Sequence, residues 1–457
     1  MSNHILNRFR RISPASFLLI SFMTAMLAGA FLLMLPFSTT SGNIAFIDAL
    51  FTSTSAVCVT GLALFDTGAY FTLFGQIVIL LLIQLGGLGI MTISVVLFQF
   101  LGKVVSFRQR MAMQETFAHT PRKDIYRLIK SIFVFTLLVE GTGALLLFFH
   151  WKKEFSAIKA LYMAVFHSVS AFCNAGFALF NNNLMNYTGS YLLNFTICAL
   201  IVLGGIGFPV VFEIYNLAVK KRGKRVKISV HTKSVLVTTF ILIVSGTLLF
   251  LLLEPNNSLK GLSLAENILA SLFQSISSRT AGFNSVDLSL LSDSAASLLI
   301  FLMFIGASPG SCGGGIKTTT FFVLFSLVKN RIRGNTTVNV FKKTLGKESL
   351  SKSVSIFLLS ISLVTLVLFL LLMSDHFGHK EIQNADRFIS YLFEVVSAFG
   401  TVGLSMGATA AINSLGKFLL IITMLIGRVG VLTFAYVLTA AEGQKGIEYA
   451  EENLMVG

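Results

Sequence analysis

Four short strips constrain this chain more than any other feature. Phe51 to Gly61 reads FTSTSAVCVTG, Phe166 to Gly176 reads FHSVSAFCNAG, and Phe393 to Gly403 reads FEVVSAFGTVG. In each, a Phe stands ten residues and a Ser six residues before the closing Gly. A fourth copy, Phe273 to Gly282 (FQSISSRTAG), is one residue shorter. The closing glycines are 115, 106 and 121 residues apart, and apolar runs flank every strip. Such a chain is expected to form four unequal quarters around one axis.

Composition says what surrounds the quarters. Hydrophobic residues make up 54% of the 457, charged residues only 12%, and mean hydropathy is +0.82. A soluble domain carries about twice that charged fraction. The chain therefore reads as an integral membrane protein, and 44 Phe against a single Trp fits lipid-facing helices. A formal charge of +15 raises nucleic acid as a partner. The basic residues, however, cluster in short links between apolar runs, as membrane topology requires. Cys58, Cys173, Cys198 and Cys312 all lie in apolar segments and read as small buried residues, not a disulfide framework.

A bilayer span needs about 20 apolar residues. Runs at 15–37, 73–101, 128–150, 191–219, 234–253, 296–328, 353–373 and 415–440 predict eight transmembrane helices. Segments 44–57, 156–172, 264–278 and 386–399 are too short to cross and read as re-entrant pore helices ending at the strips. The expected fold is an all-α membrane protein of four tandem span–pore helix–strip–span units around one central pore. The expected divisions are a cytoplasmic N-terminus (1–13), repeats at 14–101, 128–219, 234–328 and 353–440, basic links at 102–127, 220–233 and 329–352, and a cytoplasmic tail (441–457). Arg8, Arg10 and Arg11 before the first run leave a signal peptide as the competing reading. The length of that run and the lack of a cleavage site favour a retained span. Lys and Arg number three, six, seven and seven in 1–13, 102–127, 219–233 and 329–352, against seven in all the segments of the opposite side. Both termini are thus expected in the cytoplasm, with the strips opening outward.

Thr401-Val402-Gly403 matches the opening of the potassium-channel filter, where backbone carbonyls replace the ion's water shell. At matching places Val59, Thr60 and Gly61, Asn174, Ala175 and Gly176, and Thr280, Ala281 and Gly282 would offer carbonyls too. Glycine supplies the positive φ that turns successive carbonyls toward one axis. The bland alternative is that these glycines only cap short helices; four at equivalent positions favour the filter. Only the fourth strip keeps Thr-Val-Gly, which predicts fewer well-formed ion sites than in a channel. The pore-helix C-termini would aim their negative dipole ends at the cavity, favouring a cation.

The sixth run is interrupted by Gly306, Ala307, Ser308, Pro309, Gly310, Ser311, Cys312, Gly313, Gly314, Gly315 and Ile316, followed by Lys317. A phosphate-binding loop would need Gly directly before Lys, and Ile316 separates Gly315 from Lys317. A flexible intramembrane gate loop is the favoured reading and a plain helix kink the bland one. Arg428 is the strong charge of the last run and follows Gly427, which is equivalent to Gly86, Gly204 and Gly306. It is expected just below the filter, as an electrostatic barrier and a donor to loop carbonyls, with a structural salt bridge as the alternative. Lys317 is expected to cap the gate loop. Arg279 is expected to brace its pore helix, through Glu394 or Glu266. His167 and Glu140 read as satisfied packing or interface residues.

The fourfold repeat, the strips and the broken sixth run resemble the Trk/Ktr/HKT superfamily of potassium transporters over nearly the whole chain. Only about a dozen residues precede the first run, whereas Trk-type subunits carry two further spans, so the KtrB type of bacterial uptake subunit is the closer resemblance. It implies potassium, held by backbone carbonyls alone, as the transported ion. It also implies sodium as an activator, a homodimer with one pore per subunit, a cytosolic nucleotide-binding ring of the KtrA type, and the cell membrane as location. No other cofactor is implied. In this superfamily a Ser at the first filter position accompanies sodium preference, and Gly61 there favours potassium. An enzyme would need a nucleophile–base pair or a metal cluster, which the sequence does not offer. A rocking secondary transporter with inverted repeats and a sodium-permeable member of the superfamily remain alternatives; all four repeats here start on the same side.

Overall fold

The computed structural model describes residues 14–89, 125–219, 228–376 and 387–439. Four long apolar helices open the four quarters: α1 (Pro14–Leu33), α4 (Ile125–Trp151), α8 (Val230–Leu253) and α12 (Lys347–His376). Each is long and apolar enough to cross a membrane. Each is followed by a shorter helix, α2 (Phe46–Val57), α5 (Ala157–Phe172), α9 (Leu264–Ser277) or α13 (Arg387–Gly400), that ends at a strip. A second apolar helix then leaves the strip: α3 (Leu73–Gly87), α6 (Tyr191–Gly205), α10 (Asp293–Phe304) or α14 (Ser414–Val429). Past the breaks described next come α7 (Phe208–Val219), α11 (Thr318–Ile332) and α15 (Val431–Thr439). A two-stranded hairpin, β1 (Asn339–Val340) and β2 (Lys343–Thr344), follows α11.

The sixth run is broken where expected, and two further second runs, read as continuous helices, are broken as well. α6 meets α7 at 95° and α14 meets α15 at 103°. A long irregular loop separates α10 from α11. The bends fall at Gly207 (φ +96°) and Gly430 (φ +98°), in a left-handed conformation that an α-helix cannot propagate. α3 ends near Gly89, also left-handed at φ +80°; the remainder of the expected 73–101 span lies outside the described residues, as do the links 102–124 and 220–227 and the tail from 440.

The halves of the short helices that lead into the strips are buried, and serines there find partners on the long helices. Ser53, Ser168 and Ser275, each two residues after the strip's Phe, donate to the carbonyls of Met26 (2.7 Å), Glu140 (2.7 Å) and Ile243 (2.9 Å). Three residues beyond each acceptor stands a glycine. A Cβ on Gly29, Gly143 or Gly246 would come within 2.3, 2.7 or 2.4 Å of the same serine oxygen. Three quarters thus share one lock, a hydroxyl seated over a glycine, which satisfies a buried polar group inside an apolar bundle. The fourth has Val395 in place of the serine.

Each second helix also packs on the short helix of the following quarter: α3 on α5, α6 on α9, α10 on α13, and α14 back on α2. The last contact closes a ring, and Lys417 Nζ of α14 seals it at 2.6 Å from Asp48 Oδ1 of α2.

Candidate functional site

The strips meet at the axis of this ring. Gly61, Gly176, Gly282 and Gly403 all have positive φ (94, 70, 77 and 93°). A Cβ on Gly61 would lie 2.5 Å from the Ala175 carbonyl oxygen, and one on Gly176 2.8 Å from that of Ala281. One on Gly282 would lie 2.5 Å from the Val402 oxygen, and one on Gly403 2.1 Å from that of Thr60. Every strip therefore leans on the next, and the fourth leans on the first. Hydrogen would be the only side chain that fits at each contact.

Two residues before each glycine, Val59, Asn174, Thr280 and Thr401 also have positive φ (57, 59, 77 and 49°). Such a conformation costs a non-glycine residue roughly 1–2 kcal/mol, and three of these four are β-branched. Strain of this kind persists only where surroundings impose it. Here the strip is pinned from behind. The amides of Thr60, Ala175 and Val402 donate at 2.7, 2.7 and 2.8 Å to the carbonyls of Ser55, Ser170 and Ser397, five residues back. The Ser55 and Ser397 hydroxyls accept from Gly61 and Gly403 N–H at 3.1 and 3.0 Å. In the shorter third strip the equivalent donor, Ala281 N–H, reaches Ser277 O only four residues back, at 2.9 Å. One turn is tightened by one residue, and the glycine still arrives in the ring. The Asn174 amide and Thr280 hydroxyl, 3.2 Å apart, tie strips two and three.

Beneath the ring lies the loop between α10 and α11. Gly314 N–H donates to Thr401 Oγ1 at 2.9 Å, and a Cβ on Gly313 would lie 2.2 Å from Thr280 Oγ1. Ser308 and Cys312 N–H donate to Gly205 and Gly204 carbonyls at 3.1 and 3.2 Å, and Gly315 N–H to that of Gly427 at 3.3 Å. Arg428 donates from Nη1 to the Cys312 carbonyl and from Nη2 to the Gly86 carbonyl. Lys317 Nζ donates to Gly313 O at 2.8 Å. Through these contacts all four quarters hold the loop: Gly86 from the first, Gly204 and Gly205 from the second, the loop's own ends from the third, and Gly427 and Arg428 from the fourth. Gly86, Gly204 and Gly427 are equivalent in packing too, since a Cβ on each would strike Val57, Phe172 or Phe399 carbonyl oxygen at 1.9, 1.8 or 2.0 Å. Gly306 departs from them: its neighbour is Gly314 O, 2.1 Å from its would-be Cβ, inside its own loop.

Arg279 does not meet either expected carboxylate. Glu394 is fully buried, and its oxygens accept from Ser405 Oγ (2.5 Å) and Thr409 Oγ1 (2.6 Å) in the segment after strip four. Glu266 closes a capping box with Ser263 at the start of α9. Among the described residues Arg279 reaches the Thr239 carbonyl alone, at 3.5 Å. His167 is fully satisfied: one ring nitrogen lies 2.8 Å from Met163 O and the other accepts from Leu179 N–H at 3.2 Å. His167 and Glu394 occupy the same place, one residue after the strip's Phe, and both fasten the chain beyond the strip to the short helix behind it. Sequence reasoning missed that shared role because the residue types differ. The available signal was position, read across the repeats.

The family model of TrkH cation transport proteins matches residues 10–445. The chain belongs to that family. The Ktr system potassium uptake protein B of Vibrio alginolyticus is 39% identical over 442 residues, covering 96% of this chain and 94% of that one. The protein of the same name from Bacillus subtilis (strain 168) is 38% identical, with 98% and 97% covered. The potassium/sodium uptake protein NtpJ of Enterococcus hirae is 36% identical, with 98% of each covered. The crystal structure of the potassium transporter TrkH from Vibrio parahaemolyticus superposes with a TM-score of 0.70 at 21% identity, covering 94% of this chain and 85% of that one, a match of fold. The resemblance to Trk and Ktr proteins read from the strips is borne out, as is the largely helical membrane architecture.

Proposed function

We propose that this chain is a potassium uptake pore of the cell membrane. In this reading eight spans surround four re-entrant helices, and the carbonyls of the residues at 59–61, 174–176, 280–282 and 401–403 form a four-part filter. The observation that carries it is the closed ring of glycine-to-carbonyl contacts, Gly61 to Ala175, Gly176 to Ala281, Gly282 to Val402 and Gly403 to Thr60. Four strips that touch head to flank with alternating positive φ can present several carbonyl oxygens to one axis, which is what a dehydrated cation needs. The loop 306–316 sits on that axis and serves as the gate, with Arg428 both holding it and placing positive charge on the ion path. Both termini face the cytoplasm, where the basic links dock a nucleotide-binding ring. Two copies form a homodimer, each with its own pore, and sodium activates uptake.

A sodium-permeable pore is the second reading. The name of the Enterococcus hirae relative, which pairs potassium with sodium, favours it, and Gly61 at the first filter position favours potassium. Rescue of a bacterium lacking its own potassium uptake systems, at low potassium with and without sodium, decides between them. Growth restored only when sodium is present supports potassium uptake with sodium activation. No growth at any sodium level overturns the proposal. Copurification with a KtrA-type ring that survives neutralising every Lys and Arg of 102–127, 219–233 and 329–352 would place docking elsewhere.

A further inference from the structure

Away from the axis, a cavity of about 530 Å³ opens between α8, α11 and the hairpin, well within the range of small-molecule sites. Its two ends differ in chemistry. One is apolar, walled by Val237 and Ile241 of α8 and by Phe321 and Phe325 of α11. Ile241 and Phe325 are 56% and 60% exposed, so this end opens sideways onto the apolar flank of the helices. The other end carries Lys329 in the last turn of α11 and Arg333 at its C-cap, together with Asn339 of the hairpin.

The hairpin is held over the cavity at a conformational cost. Its two-residue turn is Phe341-Lys342, with φ +49° and +62°. A two-residue turn of this hand ordinarily takes Asn-Gly, and a Phe in that region is an outlier. Phe341 is kept there by stacking on Phe322, with centroids 5.7 Å apart and planes 4° apart, and Lys233 Nζ lies 5.8 Å above its ring. Strain maintained at the rim of an amphipathic cavity is where a ligand site is sought.

On the orientation proposed above, this end of α8 and α11 lies at the cytoplasmic leaflet. We infer that the cavity binds an anionic phospholipid, its phosphodiester between Lys329 and Arg333 and one acyl chain along Ile241, Phe321 and Phe325. Two cations beside an apolar slot open to the bilayer match that chemistry, since surface cations attract anionic lipid and an acyl chain gains from burial. A soluble phosphate would use the cations and leave the apolar end unfilled. α11 begins at Thr318, directly after Lys317, so a lipid wedged against α11 bears on the helix that continues the 306–316 loop.

Native mass spectrometry of the purified full chain in detergent, titrated with phosphatidylglycerol, tests this. Wild type is expected to retain one phosphatidylglycerol per chain. Lys329→Gln combined with Arg333→Gln is expected to weaken retention about tenfold or more. Ile241→Trp, which fills the slot without touching charge, is expected to abolish it. Phosphatidylcholine is expected to bind far more weakly, and millimolar inorganic phosphate is expected not to compete. Retention unchanged in both variants means protein covers the cavity, a second copy included, and overturns the inference. Equal retention of phosphatidylcholine, or full competition by phosphate, overturns it as well. Ion flux plays no part in this readout, so a failure here and a failure of the transport proposal are separable.

Discussion

The third quarter of the molecule differs from the other three in how its second helix meets its own strip. In the first, second and fourth quarters the second helix presses a glycine onto the last turn of its own short helix: Gly86 on Val57, Gly204 on Phe172, Gly427 on Phe399. In the third, the strip is a residue shorter, α10 stops at Phe304, and Gly306 turns inward to its own loop. Three quarters clamp their strips from outside. One gives up that clamp and supplies the loop beneath the ring instead.

The sharpest way to break this contrast is to put a methyl group on each side of it. Gly204→Ala places a Cβ 1.8 Å from Phe172 O, a backbone contact that cannot yield without moving strip two. Overpacking costs typically about 1–3 kcal/mol even where side chains give way, so the variant is expected to lose most folded protein by size-exclusion chromatography. Gly306→Ala, against the loop alone, is expected to leave the protein folded and change only ion flux. Equal loss of folded protein in both variants would dissolve the distinction between the quarters.

The loop should account for the next largest effect. Deleting Ala307 to Gly313 is expected to raise potassium flux into liposomes holding the purified protein by about tenfold or more. Arg428→Ala is expected to act in the same direction and less strongly. It removes two hydrogen bonds from a cation, each roughly 1.5–3 kcal/mol, and leaves the other loop contacts in place. A deletion that folds as wild type and carries no more flux would make the loop a kink.

Within the ring itself, Gly61→Ser adds a Cβ 2.5 Å from Ala175 O at φ +94°. It is expected to lower the preference for potassium over sodium several-fold, read as the ratio of uptake rates for the two ions. An unchanged ratio would exclude Gly61 from the filter.

The smallest effects should come from the position one residue after each strip's Phe. Glu394→Gln keeps shape but weakens the bonds from Ser405 and Thr409, and is expected to cost about 1–2 kcal/mol in thermal stability. Gln274, at the same place in the third quarter, is fully buried with both amide atoms unpartnered among the described residues. Gln274→Leu is therefore expected to be neutral or stabilising by up to about 1 kcal/mol. A strongly destabilising Gln274→Leu would show that the third strip is braced like the others.

The sequence disclosed the strips because they repeat, and repetition removes chance. It disclosed the loop because so many glycines interrupt an apolar run. The serine locks were present as Ser53, Ser168 and Ser275 opposite Gly29, Gly143 and Gly246, yet nothing in one dimension pairs a hydroxyl with a carbonyl on another helix. The breaks in the second runs were hidden for a related reason. Glycine-rich phrases favour close helix packing and left-handed bends alike, and hydropathy is blind to the choice. For Arg279 the sequence offers Glu394 and Glu266 as partners, and spacing alone does not choose between them. Glu394 and Glu266 instead spend their oxygens on local hydroxyls and amides, which composition cannot reveal.

Closure of the ring has a consequence for how the chain is made. Gly403 leans on Thr60, and Lys417 reaches Asp48 across 369 residues of sequence. During synthesis the first quarter emerges with one flank uncovered and keeps it so until the last quarter is inserted. Contacts of such separation form late and slowly. A ribosome that stalls anywhere short of α14 therefore leaves a partial ring with an open seam, and the four strips do not close on one another until that seam shuts.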